Sequence, residues 1–344
     1  MKKIFLSFLL GLTLALSLTF FAGENPLHIF SILAKSAFGS SYDLGLTLYY
    51  TTALAFAGMS VSLAFSAGLF NIGAEGQLLV ASLAATLAGI YFPGLASPWA
   101  PVFALLCASV AGGLWAFVPG VLKIYRGSHE VIVTMMMNFV ASGLCSWVIL
   151  KKIPNPESQN PESAKIPSAY LFQDFDFIKK VFADSPASLA LILAIVTAAS
   201  LWFIMKYTRW GYEVKITGLN SAAAERAGVP VERRQLQAFC IAGALTAGVA
   251  ATEILGNAGQ FRLGFSPEFG FIGIAVALMA RNHPLGILLS AFLMGALHKG
   301  ASDLDFETNT ITRDFSKIMQ GVIILFVAVQ SYRFFRKRGR SVSG

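Results

Sequence analysis

The sequence predicts an all-α polytopic membrane protein of about ten transmembrane helices, and three observations carry that expectation. Hydrophobic residues make up 56% of the chain and charged residues only 13%, about half the charged share of an ordinary soluble domain. The apolar residues gather into repeated runs near the length an α-helix needs to cross a bilayer, longer than a barrel strand requires. The basic residues concentrate in alternate connecting segments, as the positive-inside rule demands. The net charge of +8 therefore reads as membrane orientation, not as a nucleic-acid surface.

Taken in order, Lys2 and Lys3 precede an apolar stretch over 4–22. It is longer than the apolar region of most secretory signals and is read as an uncleaved first helix. Segment 26–45 is weakly amphipathic through Leu27, Ile29, Phe30, Leu33 and Phe38 and is expected to lie on the outer membrane surface. The remaining spans are placed at 47–67, 77–97, 100–122, 131–150, 187–205, 237–256, 269–281, 284–299 and 317–335. The pair 269–281 and 284–299 is short and closely spaced.

Ten crossings from a cytoplasmic N-terminus return the C-terminus to the cytoplasm, and the charges agree. The inner side receives Lys2, Lys3, Lys123, Arg126, Arg281, the cluster Arg333, Arg336, Lys337, Arg338 and Arg340, and six basic residues of segment 206–235. The outer side receives most of the acids, among them Glu157, Glu162, Asp174, Asp176 and Asp184. The chain, 1–344, thus reads as one transmembrane domain with an outer loop at 151–186 and a cytoplasmic loop at 206–235. The outer loop contains a direct Asn-Pro-Glu-Ser repeat at 155–158 and 160–163, expected to be extended or turn-like. Capping the pathway, touching a partner and serving as a passive connector are all open to it.

Segment 206–235 carries Lys206, Arg209, Lys215, Arg226, Arg233 and Arg234, and has a short helix written into it. Asn220 or Ser221 caps its start, 221–227 is Ala-rich, Gly228 suits a left-handed stop and Pro230 forbids continuation. Two turns are marginal in water, and the small side chains let a second surface approach closely. The segment reads as a docking helix offered to another protein, with an ordinary connecting loop as the alternative.

Two places interrupt the plain spans. At 68–77 (GLFNIGAEGQ) three glycines and the polar side chains Asn71, Glu75 and Gln77 break an apolar run. At 262–273 (RLGFSPEFGFIG) a second break contains Glu268. Polar side chains at membrane depth are costly unless they face protein or water. Each break follows one full span and precedes further spans, so units 47–150 and 237–335 are expected to be inverted repeats, with a binding path at their interface. Asn138 either bonds between helices or faces substrate. Glu253 either lines a vestibule or is solvated at the interface.

No Gly-x-x-x-x-Gly-Lys-Ser/Thr loop, zinc-ligand spacing or Ser/His/Asp grouping occurs in the sequence, so no catalytic residue, metal or cofactor is assigned. Cys107, Cys145 and Cys240 fall in apolar runs and read as core. An ion-gradient carrier would share the inverted repeats, although the usual chain of buried acids is missing. A membrane enzyme acting on lipid would need a polar cluster that is not evident. With no P-loop of its own, a pump built on this chain would take its energy elsewhere, and the docking helix is a place to receive it.

Four motifs, in order, carry a family resemblance: 68–77, 127–138 (GSHEVIVTMMMN), 218–229 (GLNSAAAERAGV) and 270–286 (GFIGIAVALMARNHPLG). Over about 27–332 the chain resembles the permease subunits of bacterial ABC importers of the simple-sugar and branched-chain amino acid superfamily, nucleoside-type permeases above all. The resemblance implies an inner-membrane permease for nucleosides or related simple sugars, working as a dimer and often a heterodimer with a second permease. It also implies a cytoplasmic ABC ATPase and an extracytoplasmic substrate-binding lipoprotein. It carries the family's ATPase-coupling helix onto Gly218, Asn220, Ala223, Ala224, Ala227 and Gly228. The family's membrane-interior segment falls on Asn71, Gly73, Glu75, Gly76 and Gln77. Ser221 departs from the pattern, because proline is common after the asparagine.

Overall fold

The computed structural model describes residues 2–172, 177–308 and 317–326. In chain order the helices are α1 (Lys2–Thr19), α2 (Pro26–Phe38), α3 (Ser41–Ser66), α4 (Ala74–Tyr91), α5 (Trp99–Arg126) and α6 (Glu130–Lys151). They continue with α7 (Phe177–Val181), α8 (Ala190–Tyr207), α9 (Arg209–Leu219), α10 (Ser221–Arg226), α11 (Val231–Leu245) and α12 (Ala247–Ala250). A π-helix, Ala251–Ala258, prolongs α12. Last come α13 (Phe269–Met279), α14 (Pro284–Glu307) and α15 (Lys317–Phe326).

Seven of these rods are long and apolar enough to cross a bilayer: α3, α4, α5, α6, α8, α14 and the continuous Val231–Ala258. Shorter apolar helices, Phe8–Thr19, α13 and α15, fill the remaining expected places. The expected spans are therefore present with shifted ends. The second begins at Ser41, six residues early, because Ser40 accepts the Asp43 amide at 3.1 Å as an N-cap. The ninth runs on to Glu307, beyond the apolar run, where polar side chains find partners within the protein. There Lys299, 5% exposed, pairs with Asp303 and with Asp43 at 3.6 Å. Positions 327–335 of the last expected span, the basic cluster 333–340, Asp174 and Asp176 lie outside the described residues.

Segment 26–45 departs from expectation. Helix α2 does not rest on lipid alone: Ile29, Ile32, Leu33 and Ala37 are buried, it packs on α14 and α3, and the Ser36 hydroxyl bonds Asp303. Asn25 starts it by accepting the Leu27 amide, with Pro26 at the first position, a placement proline favours.

Burial sorts the bundle into a centre and a rim. In the most apolar window of each rod, 83% of α3 and 78% of Val231–Ala258 is buried, against 28% for α5, α6 and α8. The rim helices expose large side chains such as Leu114, Phe139, Trp147 and Phe203, which suit lipid or another membrane subunit. The most extensive packing is α3 on α14 and α11 on α5.

Alternating connections give the bundle two ends. One carries α9 and α10. The other carries the 152–189 loop, where the Tyr170 hydroxyl donates to the Phe92 carbonyl at 2.7 Å.

Candidate functional site

At the first break α3 ends at Ser66 and α4 begins at Ala74, leaving turns between. Backbone groups freed at membrane depth cost several kcal/mol each unless satisfied, and nearby amides satisfy them here. Asn138 on α6 accepts the Gly76 amide at 2.8 Å and donates to the Ile72 carbonyl at 3.0 Å. Asn71 and Gln77 are buried and bond each other reciprocally at 2.9 and 3.1 Å. The expected pathway residues thus divide: Asn71 and Gln77 brace the break, while Glu75 and Asn138 line a cavity of about 300 Å³ with Ser142, Phe139, Ser266 and Phe271.

The second break meets the first. Helix α13 has eleven residues, roughly 16 Å at 1.5 Å per residue, half the depth of a bilayer core. Its N-terminal turn abuts that of α4. The Gly270 amide donates to the Glu75 carboxylate at 2.7 Å, placing a negative group at the positive end of α13. A Cβ at Gly270 would collide with the Glu75 backbone, 2.7 Å from its Cα, so only glycine permits this approach. Glu75 is the point where the two interrupted segments touch.

Glu253 and Glu268 lie elsewhere, on a larger cavity of about 690 Å³ lined also by Tyr49, Tyr50, Phe269 and His298. Glu268 is exposed, with φ of 66° at the start of α13, a left-handed conformation uncommon outside glycine and asparagine. Glu253 is buried within the π-helix, and the Tyr49 hydroxyl donates to it at 2.5 Å. Gly264, Ser266 and Phe271 line both cavities, so segment 264–271 is a wall between them. Sequence reasoning passed over Tyr49, Tyr50 and His298. The only available signal was the adjacent tyrosines in an otherwise apolar and small-residue helix.

The α10 end is built as a rigid platform. Asn220 caps α10 by accepting the Ala223 amide at 3.0 Å, and Gly228, φ 78°, follows its C-terminus. Asn220, Ala223, Ala227 and Gly228 are exposed, whereas Ala224 is 2% exposed and faces inward. Helix α9, which the sequence did not announce, holds the platform. Its Glu213 receives Arg209 at 2.7 Å and Arg234 at 2.5 Å, and those hydrogen bonds, Arg209 first, keep its carboxyl below the usual range. Gly218 closes the link: a Cβ there would strike the Ser66 carbonyl and lie 2.8 Å from the Gly68 amide. Gln235 donates to the Ala67 carbonyl at 3.3 Å. The α10 platform therefore rests on the first break through α9 and α11.

The other end mirrors this. The loop pairs backbone to backbone with the stretch before the second break: Ser163 donates to Phe261 at 2.8 Å, Ile166 to Gly259 at 2.9 Å, and Leu263 to Pro161 at 3.0 Å. Glu162 anchors the clip by accepting Gln260 at 2.7 Å and Asn155 at 3.1 Å, with Arg262 at 3.5 Å. Hydrogen bonds from Ser158 and Asn155, with the Arg262 charge, hold its carboxyl below the usual range.

Two broken helices meeting within a bundle of membrane-spanning rods define a polytopic transport protein. The model of the branched-chain amino acid transport system / permease component family matches residues 44–328, and the chain belongs to that family. It is 35% identical to the guanosine ABC transporter permease protein NupP of Bacillus subtilis over 94% of this chain and 91% of that one. It is 31% identical to the glucose ABC transporter permease protein TsgB13 of Haloferax volcanii over 90% and 82%. With the nucleoside ABC transporter permease protein NupB of Lactococcus lactis the figures are 29%, 94% and 88%. A solved ABC transporter in an inward-facing conformation covers 98% of this chain and 99% of its own at a TM-score of 0.46 and 16% identity, a likeness of outline alone. The chain is a multi-pass ABC transporter permease, a family whose members work with ATPase and substrate-binding partners.

Proposed function

We propose that this chain is one of two permease subunits, in a heterodimer, through which nucleosides or related simple sugars enter a bacterial cell across the inner membrane. In this reading both termini are cytoplasmic, an ABC ATPase docks on α10, and a substrate-binding lipoprotein delivers solute at the clip end. Units 47–150 and 237–335 are inverted halves. The relatives named for guanosine, nucleoside and glucose transport support the substrate class.

One observation carries the mechanism: an uninterrupted run of contacts from exposed α10 through Gly218 to Gly68, along the first break to Glu75, and across to Gly270. Closure of the ATPases pushes α10, the push reaches the first break, and the Glu75 contact passes it to α13 and the wall at 264–271. The two cavities flanking that wall then open in turn, a rigid-body form of alternating access.

The test is uptake by cells carrying both permeases, the ATPase and the binding protein. Guanosine uptake is expected to need ATP and to persist when an uncoupler removes ion gradients, and the ATPase is expected to co-purify. Uptake that collapses with the gradient while ATP is held constant overturns the reading.

A further inference from the structure

Resting on the nucleoside reading above, we propose that Tyr49 and Glu253 form a subsite for the vicinal hydroxyls of a ribofuranose. Glu253 is 6% exposed. Its Oε2 accepts the Tyr49 hydroxyl at 2.5 Å, while its Oε1 has no hydrogen-bond partner among the described residues. Asn257 donates to the Tyr49 oxygen at 3.2 Å, which sets that hydroxyl to donate toward Glu253 and leaves the phenolic oxygen one further lone pair. A buried carboxylate oxygen without a donor is an arrangement a protein seldom retains for packing alone.

The setting is that of a ligand site. Glu253 belongs to a π-helix of eight residues, a rare form that recurs at functional sites. The cavity it borders, about 690 Å³, falls within the range of small-molecule pockets. Its aromatic wall is assembled from three rods: the Tyr50 ring lies 4.6 Å from His298 and 6.5 Å from Phe269.

The chemistry narrows the ligand. A carboxylate accepts only, so the ligand must bring O–H or N–H donors. Adjacent ring hydroxyls supply two, one for Oε1 and one for the phenolic oxygen, and the aromatic wall suits the flat face of a base. Ribonucleosides and free pentoses share the diol, but only the nucleoside uses the wall.

The experiment has two arms. Uptake of guanosine and 2′,3′-dideoxyguanosine is measured with the intact transporter carrying wild-type permease, Glu253→Gln or Tyr49→Phe, the binding protein being unchanged throughout. Each substitution is expected to lower guanosine uptake about tenfold and dideoxyguanosine uptake less than twofold, the effect of losing one charge-assisted hydrogen bond. An equal fall for both nucleosides makes the pair structural and overturns the proposal.

The second arm needs no variant. Thermal unfolding of the purified wild-type permease pair, without binding protein, is followed with millimolar guanosine, dideoxyguanosine or ribose. Guanosine is expected to raise the midpoint more than dideoxyguanosine. A shift with ribose but not guanosine keeps the diol subsite and overturns the nucleoside reading, whereas equal shifts with both nucleosides, or none with any ligand, overturn the subsite.

Discussion

The Glu75 carboxylate is the side chain through which the two interrupted segments bond, by way of the Gly270 amide. A hydrogen bond to a charged group contributes about 1.5–3 kcal/mol, so removing it biases the docked and undocked positions of α13 by roughly tenfold or more. Glu75→Ala is therefore expected to lower initial uptake at least about tenfold at wild-type membrane abundance. Glu75→Gln keeps an acceptor for the Gly270 amide and is expected to lose about threefold. Uptake rates normalised to permease in the membrane read both, and a wild-type rate in Glu75→Ala removes the latch. Much of this site was legible in the sequence, because Asn71, Glu75 and Gln77 are expensive at membrane depth and must be satisfied. Their partners were not legible. Nothing in the local sequence says that Gly270 supplies the amide for Glu75, or that Asn71 and Gln77 are occupied by each other.

Among the elements, the cytoplasmic-loop reading sharpens to a choice between neighbouring alanines. Ala223 is exposed and Ala224 is 2% exposed. Ala223→Trp is expected to insert normally, lose ATPase co-purification and lose most uptake. Ala224→Trp overpacks a buried site, at about 1–3 kcal/mol or more, and is expected to lower abundance first. Quantitative immunoblotting beside uptake separates them, and normal transport by Ala223→Trp at normal abundance would count against docking on α10.

The clip gives a pH expectation with a definite sign. Glu162 has its carboxyl depressed in the fold, so its contribution is complete above the ordinary carboxylate value of about 4.3. That contribution is lost only as pH falls through the lower folded value. Amide exchange at Ser163 and Ile166, corrected for intrinsic rate, is expected to stay protected from pH 7 to 5 and to open below about pH 4. Opening between pH 7 and 5 contradicts the assignment. Capped α10 was readable from Asn220 and Gly228 because those signals are local. Helix α9 was hidden by its mixed polar composition, and the clip by backbone pairing between segments a hundred residues apart, which leaves no periodicity to read.

At the scale of the molecule, each interruption is held by the extramembrane segment at its own end, Gly218 and Gln235 on the first and Ser163 and Glu162 on the stretch before the second. In the proposed mechanism a push at either end reaches the same Glu75–Gly270 contact from opposite sides, which makes the orientation of those ends the decisive geometric test. In a background with Cys107, Cys145 and Cys240 replaced by Ala, Ala223→Cys places an exposed thiol at one end and Ser158→Cys a half-buried one at the other. A membrane-impermeant maleimide applied to intact spheroplasts is expected to label Ser158→Cys at once and Ala223→Cys only after the membrane is opened. The reverse pattern would put α10 outside, where no ATPase can reach it, and the transmission route through Gly218 would lose its source of force. Full labelling of both thiols from outside would instead put an even number of crossings between 158 and 223, breaking the assignment of α8 as a spanning rod. The expected pattern leaves α8 as the one crossing between clip and platform, so that solute delivery and ATP-driven closure act on opposite faces of a single latch.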